Sequence, residues 1–287
     1  MGSFFVNDMN RKNTVVIACE MVEDEVRKAM ENTGADYPVI WVERGYHNEP
    51  DDLREELKVL VRYAETSRIE KDIRTKELTV DPYAAIPESM KTRKQKRTVT
   101  TPLYPGNEIN GDLENILIVF GLCGKGAEGI GSSSARVIIP RFDDCVNMML
   151  CPEKREKRAY MKAGITYLTR GWTEDKGSLL SIYNECLERY GEKKGRKAFK
   201  LMYDSYTLAA VIDDGCYDLE PVEEYARKTS ELLGLDTCRV GGSIHVFEKL
   251  MSGSWDDDII VCEPGEVISE ENFAFGGQPL DVSTTAM

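Results

Sequence analysis

Histidine is the scarcest chemistry-bearing side chain in this sequence: only His47 and His245 occur among 287 residues. A Ser-His-Asp triad would have to use one of these two. His245 lies in the amphipathic stretch "GGSIHVFEKLM", where a half-buried helix histidine is the plain reading, so hydrolase chemistry ranks low even though Ser132-Ser133-Ser134 forms a serine run. Long apolar runs are also missing. None approaches the ~20 residues that a membrane-spanning helix needs. The N-terminal "MGSFFVNDMNRKN" lacks the apolar core of a secretory leader, which points to a cytoplasmic protein. Positive charge is in deficit, with 37 Lys and Arg against 50 Asp and Glu, a net charge of −13 and a pI near 4.9. A field of that sign repels nucleic acid and anionic bilayers, so neither is expected as a partner. The eight cysteines contain no C-x-x-C pair, which removes the strongest zinc and thioredoxin spellings. In a reducing compartment they are free thiols.

What remains reads as an α/β protein with a mostly parallel, Rossmann-like sheet and flanking helices. "NTVVIAC" (13–19) is a continuous, β-branched strand of the kind buried on both faces. A helical pattern at 23–34 closes on Gly34, and a second strand follows at 37–43. Pro50 then opens a long helix with Leu53, Leu57, Leu60 and Val61 on one side. Further strands are expected at 115–121, 135–141, 165–172, 236–241 and 257–263, with helices at 177–190, 193–205, 221–233 and 243–251; residues 206–213 fit strand or helix. Both halves alternate in this way, which is compatible with two similar lobes. The organisation expected is an N-terminal extension (1–12), an α/β domain (13–268) and a flexible polar tail (269–287). Residues 76–112 interrupt the domain as an insertion with four prolines and five positive charges between Lys91 and Arg97. It reads as a solvated loop or as a docking segment for an acidic partner.

The stretch after the 115–121 strand contains Gly124-Lys125-Gly126-Ala127-Glu128-Gly129, a literal G-x-G-x-x-G. In a dinucleotide fingerprint the third glycine opens a helix whose N-terminus faces the pyrophosphate. Here the next strand begins about six residues later, which leaves no room for that helix. It is not a Walker loop either, since Lys125 is followed by glycine. Gly121, Gly124, Gly126 and Gly129 instead let backbone approach a ligand or cluster.

Cys19, Cys123 and Cys145 each fall at or just beyond a strand's carboxyl end, the edge where parallel sheets bind ligands. Three thiolates gathered there would call for a cation. A [4Fe–4S] cluster with one open iron fits, as does zinc with His47 as fourth ligand; three ordinary thiols without metal fit as well. Asp143 and Asp144 are candidates to cap the helix that follows or to act as acid–base groups, with Lys125 a further catalytic candidate. Arg141 and Arg170 are candidates for an anionic substrate, and Trp172 for a pocket wall.

The stretches "VIAC", "GYHNEPDDLREEL", "FGLCGKGAEGIGS", "VIIPRFDDC", "ITYLTRGW", "LAAVIDDGCYD" and "MSGSWDDDIIVCEPGEVI" together resemble the domain of unknown function 1638 family of anaerobic bacteria and methanogenic archaea. The resemblance runs from about residue 13 to 268. In that family the glycine loop commonly reads C-G-N-G, whereas here it is Cys123-Gly124-Lys125-Gly126, and the 76–112 insertion is longer than usual. The family pattern includes the positions of Cys19, Cys123, Cys145 and His47. The resemblance implies a role near corrinoid-dependent methyl-group metabolism, with a corrinoid as a further candidate ligand and a corrinoid protein or methyltransferase as a candidate partner. The leading expectation is a metal or iron–sulfur protein. The alternative is a non-catalytic module for a phosphate-bearing molecule, a nucleotide or a corrinoid, or a methyltransferase-docking accessory.

Overall fold

The computed structural model of the chain describes residues 13–46, 49–75, 111–151, 163–273 and 285–286. These fall into two compact units. The first holds residues up to Glu20, Met30–Asp143 and Glu248–Ala274; the second holds Met21–Ala29, Asp144–Phe247 and the C-terminal residues.

The first unit is built on a six-stranded sheet. Its strands are β1 (Thr14–Cys19), β2 (Val39–Val42), β3 (Ile73–Arg74), β4 (Asn115–Val119), β5 (Arg136–Pro140) and β9 (Ile259–Cys262). Their order is β3-β2-β1-β4-β5-β9, parallel throughout except for β9, which runs antiparallel along β5. This is a Rossmann-like α/β sheet. β1 and β4 are buried at every position, which explains why both read as unbroken apolar runs. Ala18 of β1 stands between Trp41 of β2 and Val119 of β4. Strand order reverses between β1 and β4, so their carboxyl ends frame the switch-point crevice of this sheet.

Helix α2 (Pro50–Thr66) begins with proline at its first position and buries Leu53, Leu57, Leu60 and Val61, as the spacing predicts. Helix α1 (Glu23–Thr33) ends on Gly34, whose φ of 64° only glycine adopts readily. Its first part belongs to the second unit and its last part to the first.

The second unit carries β6 (Ile165–Leu168), β7 (Leu208–Asp213), β8 (Asp236–Gly241) and β10 (Thr285–Ala286), in the order β10-β8-β7-β6. β6, β7 and β8 are parallel and β10 is antiparallel. Residues 206–213 therefore settle as a strand, flanked on both sides by parallel partners. The helices are α3 (Cys145–Met149), α4 (Arg170–Thr173), α5 (Leu179–Tyr190), α6 (Glu192–Met202) and α7 (Leu219–Leu233), with α8 (His245–Ser252) crossing the unit boundary. Leu168, Ala209, Val211, Val222 and Ala226 form a core between β6, β7 and α7. The 165–172 stretch is strand only as far as Leu168. The Thr169 hydroxyl accepts a hydrogen bond from the Trp172 amide and starts α4 there. The docking segment Lys91–Arg97 and most of the insertion lie outside the described residues, as does the N-terminal extension.

Candidate functional site

In the first unit, the glycine loop leaves the end of β4 and is tied to the end of β5. The amides of Leu122 and Cys123 donate to the carbonyls of Phe142 and Asp143 at 2.8 Å each. Cys123, Gly124 and Lys125 then take left-handed φ values of 46°, 62° and 76°. For the two non-glycine residues this costs about 1–2 kcal/mol apiece. Side-chain contacts offset it: Arg54 donates to the Lys125 carbonyl at 2.7 Å, and Lys125 Nζ meets Glu270 at 2.6 Å.

The glycines here serve close packing. A Cβ on Gly126 would sit 2.6 Å from Leu53, and one on Gly124 would sit 3.0 Å from Pro50, both on the first turns of α2. The amides of Gly126, Ala127, Glu128 and Gly129 donate to the carbonyls of Cys123, Leu122, Lys125 and Ile268. Those four amides are committed internally and are not free to cradle a phosphate. Gly121 is buried at the end of β4.

The serine run has a structural partner. Ser132 and Ser133 hydroxyls and the Ser133 amide all donate to Glu65 Oε1, at 2.8, 2.9 and 2.6 Å. Burial alone would raise the Glu65 carboxyl, but these hydrogen bonds prevail and hold it below the ordinary glutamate range.

The remaining expected site residues are placed as follows. Cys19 is buried at the end of β1 and shares the first unit with Cys123. Cys145 opens α3 in the second unit. His47 lies outside the described residues. Among the described residues, no group of three or more His, Cys, Asp and Glu side chains is placed to hold one metal ion. Asp144 caps α3 as its position suggests, with Oδ1 accepting from the Asn147 amide at 2.8 Å and Oδ2 from the Asn147 side chain at 3.1 Å. Asp143 is exposed. Arg141 and Trp172 are half-buried.

A different set of groups meets at the carboxyl edge of the second sheet. β6, β7 and β8 run parallel, so Thr169-Arg170, Asp214 and Gly242-Ser243 all emerge at one edge. Asp214 follows β7 directly, and Gly242 packs so closely that a Cβ would lie 2.9 Å from Asp214 Cβ. From the first turn of α1 come Asp24 and Glu25. Asp24 receives Arg170 Nε at 2.7 Å and a second guanidinium nitrogen, a bidentate pair. Glu25 is 2% exposed, and its carboxyl lies close enough to that of Asp214 for each to perturb the other.

Two carboxyls in contact cannot both ionise. Burial and then the Asp214 charge push Glu25 well above the glutamate range, and burial raises Asp214 as well. Asp214 Oδ1 accepts from the Cys216 amide at 3.0 Å. Asp214 Oδ2 is buried and meets no N–H or O–H donor among the described residues, which disfavours its charge further. Cys216 and Tyr217 stand beside it, and burial followed by the neighbouring negative charges pushes both upward. The thiol and phenol therefore stay protonated, and the Tyr217 hydroxyl donates to the Ile212 carbonyl. Nearby, the Ser243 hydroxyl lies 3.1 Å from His245 Nδ1.

The family model described as "Protein of unknown function (DUF1638)" matches residues 107–251, half of the chain. The chain belongs to this family. Neither the curated proteins nor the solved structures gave a match. The DUF1638 match takes in the glycine loop, Cys123, Cys145, Arg170, Asp214, Cys216 and Tyr217. Cys19, Glu25 and His47 precede it.

Within this DUF1638 chain, sequence reasoning passed over Glu25, Asp214, Cys216 and Tyr217. The available signal was "IDDGCYD": two carboxylates, a glycine and a thiol immediately after a strand. Its partner Glu25 sits about 190 positions earlier in an ordinary-looking acidic helix turn, and nothing local links the two. A cleft of about 470 Å³, lined by Asn13, Asp36, Arg68, Glu70 and Asp112 among others, opens at the amino ends of β1 and β2. That is the edge opposite to where parallel sheets place their ligands, so the carboxyl edge of the second sheet is the stronger candidate.

Proposed function

We propose that the carboxyl edge of the second sheet is the working site, and that it binds a small polar molecule and exchanges a proton with it through Glu25 and Asp214. The observation that carries this reading is the meeting of the buried Glu25 carboxyl with the half-buried Asp214 carboxyl at the end of a parallel strand, where burial raises both. Such a pair releases its proton to a basic group or accepts one in return, which is the part of a general acid–base centre. Arg170, oriented by Asp24, and the Ser243 hydroxyl add polar groups at the same edge for holding the molecule. Cys216 and Tyr217 serve as neutral hydrogen-bonding groups, because neighbouring negative charge keeps them protonated. Among the described residues, the three-cysteine centre has no comparable grouping in its support.

The test is a thermal-shift screen of small polar metabolites on the full chain, with cobalamin and nucleotides included because the family resemblance points toward corrinoid-linked metabolism. A hit is followed by calorimetry in buffers of different ionisation enthalpy. The expected result is a ligand whose binding moves a proton and weakens at least about tenfold in Asp214→Asn, while Cys123→Ser binds as wild type. Binding without proton exchange that survives Asp214→Asn removes the proposal. Stabilisation lost on chelation and in Cys123→Ser points instead to the cysteine centre.

A further inference from the structure

Helix α6 gathers positive charge on one face of an otherwise acidic chain. Lys193, Lys197 and Lys200 follow i, i+4, i+7 spacing, and Lys194, Lys197 and Leu201 follow i, i+3, i+7. These positions share one face of the helix. The opposite face is spent on α5. Phe199 is fully buried and stacks edge-on against Tyr183 with ring centroids 5.2 Å apart, and a Cβ on Gly195 would sit 2.4 Å from the Cys186 carbonyl. All four lysines are exposed, and none forms an ion pair among the described residues. Leu201, on the same face at the C-terminal end of the helix, is 75% exposed.

The complement of this surface lies on the first unit. β9 is an edge strand, and the turn that follows it carries Glu263 and Glu266 between two outward valines, Val261 at 36% and Val267 at 57% exposure. Neither glutamate forms an ion pair among the described residues. The Glu263 amide donates to Glu266 Oε2 at 2.9 Å, which fixes the turn, and both residues remain exposed.

We infer that the lysine face of α6 docks the 261–267 turn of a second copy of this chain, with Leu201 against the two valines and the lysines against Glu263 and Glu266. One surface offers a row of cations ending on an exposed leucine, and the other offers glutamates between exposed valines. The two surfaces differ, so the contact is heterologous and propagates into a ring or an open row. An 11-residue helix is about 16 Å long. Contact along it is small, so the association is weak and electrostatic.

Sedimentation velocity of the full chain tests this, at low and high salt. Wild type should self-associate at low salt with an affinity that falls at least about tenfold at high salt. Lys193→Glu with Lys197→Glu should be monomeric, as should Glu263→Lys with Glu266→Lys. Mixing the two variants should restore a complex, since each retains one native surface. Circular dichroism checks that these exposed substitutions leave the fold intact. Wild type that stays monomeric at low salt overturns the inference, and so does a charge-reversed variant that still assembles or a mixture that fails to. Binding of anionic vesicles or duplex DNA through α6 by a chain that does not self-associate assigns the lysine face to another macromolecule, and equally overturns it.

Discussion

Glu65 and Glu25 are both buried glutamates, at 4% and 2% exposure, and their surroundings drive them in opposite directions. Glu65 is surrounded by donors from Ser132 and Ser133 and is held ionised, with its carboxyl below the ordinary range. A group depressed in the fold contributes stability above its unfolded pKa of about 4.3 and loses it as pH falls through the folded value. Glu65→Gln should cost about 1–2 kcal/mol near neutral pH, and the difference from wild type should shrink in acid. Urea titrations at the two pH values check both. Glu25 is raised by burial and by Asp214, so the sign reverses. Its folded state holds a proton that the unfolded chain has released, and stability falls as pH rises from the unfolded pKa through the raised one. Glu25→Gln keeps a neutral donor toward Asp214 and should flatten this loss. Melting temperatures followed from acid to alkaline pH should converge with wild type in acid and exceed it in alkali; a variant that loses stability as steeply as wild type would place the proton elsewhere. At this scale the sequence was a poor guide. The scarcity of histidine ranked a nucleophile role for the serine run low, but its actual partner could not be read because Glu65 lies 67 positions away, and the Glu25–Asp214 contact spans a still longer separation. The Asp144 cap was legible because a cap is a local device that reads out within three residues.

Elements were far easier to read, since periodicity and breakers act over a few residues. Apolar spacing located α1, α2, α5, α6 and α7, and Gly34 and Gly191 marked where helices stop. β3 was missed because two residues carry no period, and the 165–172 strand was drawn too long because Thr169 has to be recognised as a cap. The G-x-G-x-x-G spelling had the right strand before it and the wrong element after it, which is why a packing role prevailed over a phosphate role. Gly195 illustrates the same lesson inside a helix. It looks like a weak point in α6, yet its missing side chain lets the backbone of α5 come within contact. Gly195→Ala should improve local helix propensity by about 1 kcal/mol and still destabilise the protein, because prying α5 from α6 costs about 1–3 kcal/mol. A net loss of stability in urea unfolding, with the far-ultraviolet dichroism of the native state unchanged, is the expected outcome. A gain would mean that the two helices separate freely.

Over the whole molecule, alternation of strand and helix in both halves was sufficient to indicate α/β architecture, and the six-stranded Rossmann-like sheet bears that out. Alternation in both halves was compatible with two lobes, but the membership of the units was not legible, because Met21–Ala29 joins the second unit across more than a hundred intervening residues. Net charge is the property of this scale that has a direct consequence for stability. At −13 the folded chain repels itself, while its exposed ion pairs contribute about 0–1 kcal/mol each. Salt screens both, and the uncompensated charge acts over longer distances than the pairs, so its relief should prevail. The melting temperature should therefore rise from low to moderate salt. Replacing Lys193, Lys194, Lys197 and Lys200 with glutamine takes the net charge from −13 to −17 and should steepen that rise. The same salt step is expected to weaken contact between copies through α6, so thermal stability and self-association should move in opposite directions in one titration. Calorimetry and sedimentation over a shared salt series separate the two effects, and a melting temperature that falls with salt in the four-lysine variant would show that local ion pairs, rather than net charge, govern the stability of this chain.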